Sequence, residues 1–308
     1  MAEVIRVTAP GSVMLMGEHA VVKGYWAIAC ALDKGIEVQL TPRADRVITI
    51  DSALCQYQSN LDQLINEAKL SFVLKAISLQ LDKLEYGFDL VIKAEFSHTL
   101  GLGSSAAVTA ATVKALSLHS GQNISLAEHL QLSLAVVRAV QGRGSGTDLA
   151  ASIYGGVIAY KVDPCTVEVL NGLPEISLHY VGYKTKTPDV LAIVAQWEQQ
   201  QPELYANIYQ LMDQISIAAM RAVRAQNWSE LGKLMNLYQG QLDSLGVNDL
   251  ALSEMIYQLR AQSGVSGAKI SGSGLGDCVI SLGIDQPLEN YQQIVIKVSA
   301  QGVISHEQ

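Results

Sequence analysis

Three glycine-rich stretches, far apart in the chain and each pressed against an apolar run, limit what this sequence can fold into. They are APGSVMLMGEHAVVKG (residues 9–24), TLGLGSSAAVTAA (99–111) and KISGSGLGDCVISL (269–282). Glycine reaches backbone angles and close approaches that other residues resist. Three such turns beside apolar segments predict one cleft lined by backbone. The middle stretch is the most telling. It follows a strand-like run and opens a helix of small residues, where Ser104, Ser105 and Ala106 would carry backbone N–H groups with no intrahelical partner. Those groups and the positive end of the helix dipole favour a phosphate. A tight turn with close helix packing is the plainer explanation for a lone glycine pair. Residues 101–106 also fit G-x-G-x-x-A, the dinucleotide pattern, but the acid expected about 20 residues further on would be Glu128. Glu128 belongs instead to a capping box. The G-K-[ST] of a Walker loop is absent.

The remaining pattern predicts an α+β protein. Strands are expected at 4–8, 35–40 and 46–51. Residues 59–82 carry apolar side chains at helical spacing, at Leu61, Ile65, Ala68, Phe72 and Ile77. Residues 86–96 alternate as a half-buried strand, with Tyr86, Phe88, Leu90, Ile92, Ala94 and Phe96 on one side. A helix over 106–119 has small residues all round and should be buried. Ser125 and Glu128 form the capping box of a helix reaching about Gln141. GGVIAYK and 176–183 read as strands. From Thr187, an N-cap before Pro188, three or four amphipathic helices run through Gln262. A strand–loop–strand unit and a last helix follow. The change in character places a domain boundary between 183 and 184, giving units 1–183 and 184–308.

Composition removes several function classes. Hydrophobic residues make up 49% and charged residues 16% of 308, so disorder is not expected. A formal charge of −8 argues against a nucleic-acid surface, which needs clustered Lys and Arg. No apolar run reaches bilayer length, so no membrane span is expected, and the first residues lack the pattern of a signal peptide. Cys30, Cys55, Cys165 and Cys278 show no metal spacing and read as buried free thiols of a cytoplasmic protein.

At the three glycine stretches the chain resembles the GHMP kinase superfamily, which includes galactokinase, homoserine kinase, mevalonate kinase and phosphomevalonate kinase. PGSVMLMGEHAVVKG resembles its first motif, GLGSSAA its second and SGSGLGDCVISL its third. GSGTDLAASIYGG matches the segment that carries the catalytic aspartate. The motifs stand in family order. GEHAVV points toward the mevalonate and phosphomevalonate branches. The resemblance implies a two-domain fold: a ribosomal S5-like N-terminal domain with a left-handed crossover, and a ferredoxin-like C-terminal domain. It implies ATP and Mg²⁺ as cofactors and a small-molecule alcohol, mevalonate or a relative, as phosphoryl acceptor. It also allows a homodimer, since dimers are common among relatives.

Carried onto this sequence, the resemblance assigns Leu100, Gly101, Leu102, Gly103, Ser104, Ser105 and Ala106 to ATP. Ser105 would also ligate Mg²⁺. Asp148 would be the catalytic base, against the alternative of a helix N-cap. Glu18 and His19 would lie beside the acceptor with Asp148; a local salt bridge at a turn is the alternative. His19 is suited to a carboxylate or a hydroxyl. Lys184 or Lys186 would meet an acidic substrate, or be an exposed pair. Two positions depart from the family. Ser12 stands where mevalonate kinases carry a lysine that orients the aspartate, and Val137 stands where they carry a glutamate ligand to Mg²⁺. Arg138, Arg143 or Lys23 are candidates for the missing cation. A non-catalytic nucleotide-binding protein, or another kinase or decarboxylase of the superfamily, is the alternative these departures raise.

Overall fold

The first strand does not stop at its proline and glycine. In the computed structural model, which describes residues 3–97, 100–142 and 144–306, β1 (Ile5–Met16) runs unbroken through Pro10 and Gly11. It pairs antiparallel with β2 (Ala27–Pro42), with a register shift between Pro10 and Ser12. That bulge accommodates the missing N–H of Pro10 and the close approach at Gly11, where a Cβ would lie 2.8 Å from the Leu102 carbonyl oxygen. The short strands expected at 4–8 and 35–40 are therefore parts of two long ones. Only residues 17–24 of the first glycine stretch form a turn.

β2 pairs along one half with β6 (Val157–Lys161) and along the other with β5 (Phe88–Ala94). β5 lies parallel to β3 (Val47–Ser52), which pairs with β4 (Gln56–Asn60), while β6 pairs with β7 (Thr166–Leu170). The late strand β12 (Ile304–His306) returns to pair with β1. Four helices accompany this sheet: α1 (Ser71–Ser78), α2 (Ser104–His119), α3 (Leu126–Gln141) and α4 (Thr147–Tyr154). α2 lies against β1 and β2, and its alanines are buried as the all-round small-residue pattern predicts. α3 starts at the expected capping box.

The second sheet is antiparallel, in the order β11 (Gln292–Ile294), β8 (Ile176–Lys184), β10 (Gly276–Gly283), β9 (Val265–Ser271). α5 (Thr187–Gln200), α6 (Pro202–Arg224), α7 (Trp228–Ser244) and α8 (Leu250–Arg260) supply its helical layer. α7 packs closely on β9 because Gly232 has no side chain; a Cβ there would sit 2.4 Å from the Ser266 carbonyl oxygen. The architecture is α+β. A cut between 183 and 184 falls inside β8, which pairs in the second sheet, while β12 pairs in the first.

Local expectations fail where longer-range pairing decides. Helix covers only the last part of 59–82. Before it, the Asn60 side chain accepts from the Asp62 N–H, and the Leu61 N–H bonds to Arg46. Tyr86 lies outside β5 and is exposed, and Ala94 is also exposed. The last helix is absent among the described residues. Ile294, Ile296 and Val298 repeat every second residue, and the segment runs extended through β11 and a bridge from Val298 to Leu32. The N-cap of α5 is Lys186, so Thr187 is already helical. All four cysteines are free, but Cys165 is exposed and Cys55 only half-buried. No described helix is long and apolar enough to cross a membrane.

One buried ion pair joins the two sheets. Lys269 on β9 meets the carboxylate of Glu18 in the turn after β1, and both are almost wholly removed from solvent. The Tyr238 ring lies 5.5 Å from the ammonium, and its hydroxyl donates to the Glu18 carbonyl at 3.0 Å. Burial pushes the Glu18 pKa up and the Lys269 pKa down, each opposed by the other's charge. Removing one partner strands the other in a dry site. Lys269→Met should therefore cost about 3–5 kcal/mol of stability in urea unfolding. The double variant Glu18→Met, Lys269→Met should lose much less than the sum of the singles; additive losses would deny the coupling.

Candidate active site

The predicted phosphate loop joins β5 to α2, and its two glycines are required by what stands behind them. Gly101 and Gly103 both adopt φ +67°. A Cβ on Gly101 would lie 2.7 Å from Oδ1 of Asp277, and one on Gly103 would lie 2.1 Å from Oγ of Ser12. The Ser12 N–H donates to the Leu102 carbonyl at 3.1 Å, which ties the loop to β1. Gly103 is the N-cap of α2 and has no side chain to satisfy the first-turn N–H groups. The Ser104, Ser105 and Ala106 amides are thus left for an outside acceptor. Leu102 and Ala106 turn their side chains into the core, whereas Gly101 is exposed and Leu100, Ser104 and Ser105 are half-buried.

Asp148 sits in the first turn of α4, two residues after the N-cap Gly146. It does not cap the helix itself. Its segment is held from both sides: Tyr160 Oη donates to the Ser145 carbonyl at 2.7 Å, and Ser152 Oγ donates to the Pro10 carbonyl at 2.7 Å. Ser12 Oγ donates to Asp148 Oδ1 at 2.9 Å. Position 12 therefore still orients the aspartate, but without a charge. Desolvation of its carboxyl by burial raises the Asp148 pKa, against the opposing effects of the Ser12 hydrogen bond and the Lys184 charge. A carboxylate with raised basicity, one oxygen held and the other without a hydrogen bond among the described residues, is arranged to take a proton.

Glu18 and His19 lie in the turn after β1, and the structure gives them different surroundings. The Glu18 side chain points to Lys269. His19 is buried with φ +61°, and its Nε2 lies 2.8 Å from the Ser273 carbonyl in the third glycine stretch. A carbonyl only accepts, so Nε2 carries the proton and Nδ1 holds a lone pair. Nδ1 is buried with no hydrogen-bond partner among the described residues. Burial lowers the His19 pKa and keeps the ring neutral.

The candidate cations separate clearly. Lys23 is paired with Glu198 at 2.6 Å, Arg138 is exposed on α3, and Arg143 lies outside the described residues. Lys186 is exposed at the start of α5. Lys184, at the end of β8, is also exposed along part of its side chain (36%), but its ammonium pairs with Asp277 at 2.5 Å. Val137 is buried, and a Cβ on Gly144 would lie 3.0 Å from it, so no carboxylate occupies that place. Among the described residues no cluster of three or more His, Cys, Asp or Glu side chains forms a metal cage. The hydroxyl of Ser105, half-exposed beside uncapped amides, fits a hard ion held mainly by phosphate oxygens and water. Sequence reasoning missed Asp277 and Lys269. A lone lysine inside an apolar strand was the available signal for Lys269.

Two measurements test this geometry. Ionised Asp148 is disfavoured in the folded state, because its pKa is raised there. That cost is absent where folded and unfolded states are both protonated, and grows as pH rises through the unfolded value. Asp148→Asn should therefore raise the thermal midpoint at pH 7.5, and the gain should shrink toward pH 4. Gly103→Ala combines a left-handed backbone with a clash on Ser12 and should cost about 1–3 kcal/mol in urea unfolding. An unchanged midpoint would mean that loop and strand do not touch there.

The chain matches known proteins along most of its length. The model of the GHMP kinase N-terminal domain matches residues 71–156, that of the C-terminal domain matches 219–297, and a galactokinase galactose-binding signature matches 2–42. The chain is 30% identical to the mevalonate kinase of Aeropyrum pernix, over 98% of this chain and 95% of that one. It is 32% identical to the mevalonate kinase of Pyrococcus furiosus, over 89% and 88%. The crystal structure of L. major mevalonate kinase in complex with R-mevalonate superposes with a TM-score of 0.74 at 26% identity, covering 90% of this chain and 86% of that one. With the uncapped helix entrance, the oriented aspartate and these full-length relatives together, the chain belongs to the GHMP kinase family and is an ATP-dependent kinase acting on an alcohol.

Proposed function

We propose that the acceptor is mevalonate, whose primary hydroxyl receives the γ-phosphate of ATP. Near-full-length similarity to curated mevalonate kinases is the observation that carries this choice. Phosphoryl transfer asks mainly for positioning and for neutralised charge. The amides of Ser104, Ser105 and Ala106, with Gly101 and Gly103 leaving room, would bind the triphosphate. Ser105 would offer its hydroxyl to Mg²⁺, whose charge offsets that of the phosphate oxygens.

Asp148 faces the acceptor hydroxyl in this reading. Ser12 holds Oδ1, and the other oxygen accepts the hydroxyl proton as the alcohol attacks. Its raised pKa suits that transfer. His19 would contribute through Nδ1. As an unprotonated buried acceptor it suits a hydroxyl of the substrate better than a carboxylate. Glu18 would act behind it, by fixing the turn through Lys269.

The test is turnover with a panel of acceptors: mevalonate, its phosphate, homoserine and galactose. ADP release should be fastest with mevalonate; preference for another acceptor would reassign the substrate. Asp148→Asn should reduce kcat by about a thousandfold or more while leaving ATP affinity near the native value. An active Asp148→Asn enzyme would remove that residue from the role of base. ATP binding without turnover of any acceptor would favour a nucleotide-binding protein.

A further inference from the structure

Ser12 keeps a hydrogen bond to Asp148 but brings no positive charge. The second sheet brings one to the same place. Lys184 ends β8, with its backbone opposite Gly276 on β10. The next residue, Asp277, falls in a register shift of that pairing and adopts φ +71°. A residue with a Cβ rarely holds such a conformation unless its surroundings enforce it, and such strain gathers at functional sites. Here the side chain is directed to Gly101 of the phosphate loop. Asp277 is only 6% exposed, its Oδ2 holds Lys184 Nζ at 2.5 Å, and its Oδ1 has no hydrogen-bond partner among the described residues. Thr185 Oγ1 donates to the Leu275 carbonyl at 2.6 Å and pins the lysine's segment to the same stretch.

These contacts form a short path. Lys184 touches Asp277, Asp277 abuts Gly101, Gly103 abuts Ser12, and Ser12 bonds to Asp148. A buried carboxylate against a phosphate-binding loop would repel its ligand unless neutralised, and Lys184 neutralises it. One of three ammonium donors is used there, which leaves two for phosphoryl oxygens. We propose that Lys184 supplies the positive charge of the transfer site that position 12 lacks, and that Asp277 is the positioning residue holding it. The inference rests on the kinase reading for its chemistry. The Lys184 charge also favours the ionised form of Asp148 against burial. Ser12 from β1 is the other group acting on that carboxyl. From the remaining elements around α4, His129 of α3 is engaged with the Ala110 carbonyl of α2, Tyr160 of β6 with the Ser145 carbonyl, and Arg138 of α3 is exposed.

The experiment has one arm that needs no turnover. Protein labelled with ¹³Cγ-aspartate is titrated by NMR, with Asp148 assigned from Asp148→Asn. Lys184→Met should move the Asp148 midpoint upward by about one pH unit, and Lys184→Arg should leave it near the native value. An unmoved midpoint in folded Lys184→Met overturns the assignment, and Lys184→Gln serves if the methionine variant does not fold. The second arm is kinetic. Lys184→Met should lower kcat about 100-fold with a small change in KM for ATP. Asp277→Asn should lower kcat less, and the double variant should be no slower than Lys184→Met alone. Additive losses would remove Asp277 from the positioning role, and a native kcat in Lys184→Met would sink the whole inference. If native protein turns over no acceptor, the kinase reading fails, while the titration still decides whether the charge lies at Asp148.

Discussion

The contact between Glu18 and Lys269 sets the position of everything at the cleft. One charge comes from the turn after β1 and the other from β9 of the second sheet, and both are dry. Such a pair tolerates little displacement, because any gap leaves a desolvated charge without its counterpart. Neighbouring bonds share the constraint. Ser271 Oγ donates to the Met14 carbonyl at 3.0 Å, and the Trp26 N–H donates to Asp213 at 2.9 Å. Residues from the two sheets can therefore meet at fixed distances, as Asp277 does against Gly101. The loop and the aspartate are both tied to Ser12 on β1, while the imidazole is tied across the junction to the Ser273 carbonyl.

What the sequence made legible was mostly local. The capping box at Ser125 and Glu128 closes within one turn, and it appears where the residues predict. Gly101 and Gly103 announced a tight backbone-lined turn, and both take left-handed angles. The aspartate segment was legible through its motif. Less legible were features set by a distant partner. The strand through Pro10 depends on a bulge against β2, and nothing between residues 5 and 16 specifies that pairing. The run at Ile294, Ile296 and Val298 has a period of two, and pairing with β8 and with Leu32 makes it extended where a closing helix is expected. Lys184 and Asp277 carry no joint signal in one dimension, since the register of β8 against β10 alone brings them together.

The substitution at position 12 shows how a site divides its labour. A lysine there would both orient the carboxylate and add charge. A serine retains the first task through a 2.9 Å hydrogen bond. The small residue also suits the tight approach of Gly103, where even a Cβ would reach within 2.1 Å of its oxygen. The loop and strand are thus packed more closely than two larger side chains would permit.

The return of β12 to β1 has a mechanical corollary. Residue 6 lies opposite residue 306, so the second sheet and its helices form an excursion that leaves the first sheet after β7 and comes back before β12. A body moored by two strands of chain can rock about the line between its moorings, but it cannot swing free as it could from one. The buried Glu18–Lys269 contact resists even that rocking, so the far body holds Lys184 and Asp277 against the first sheet in one pose.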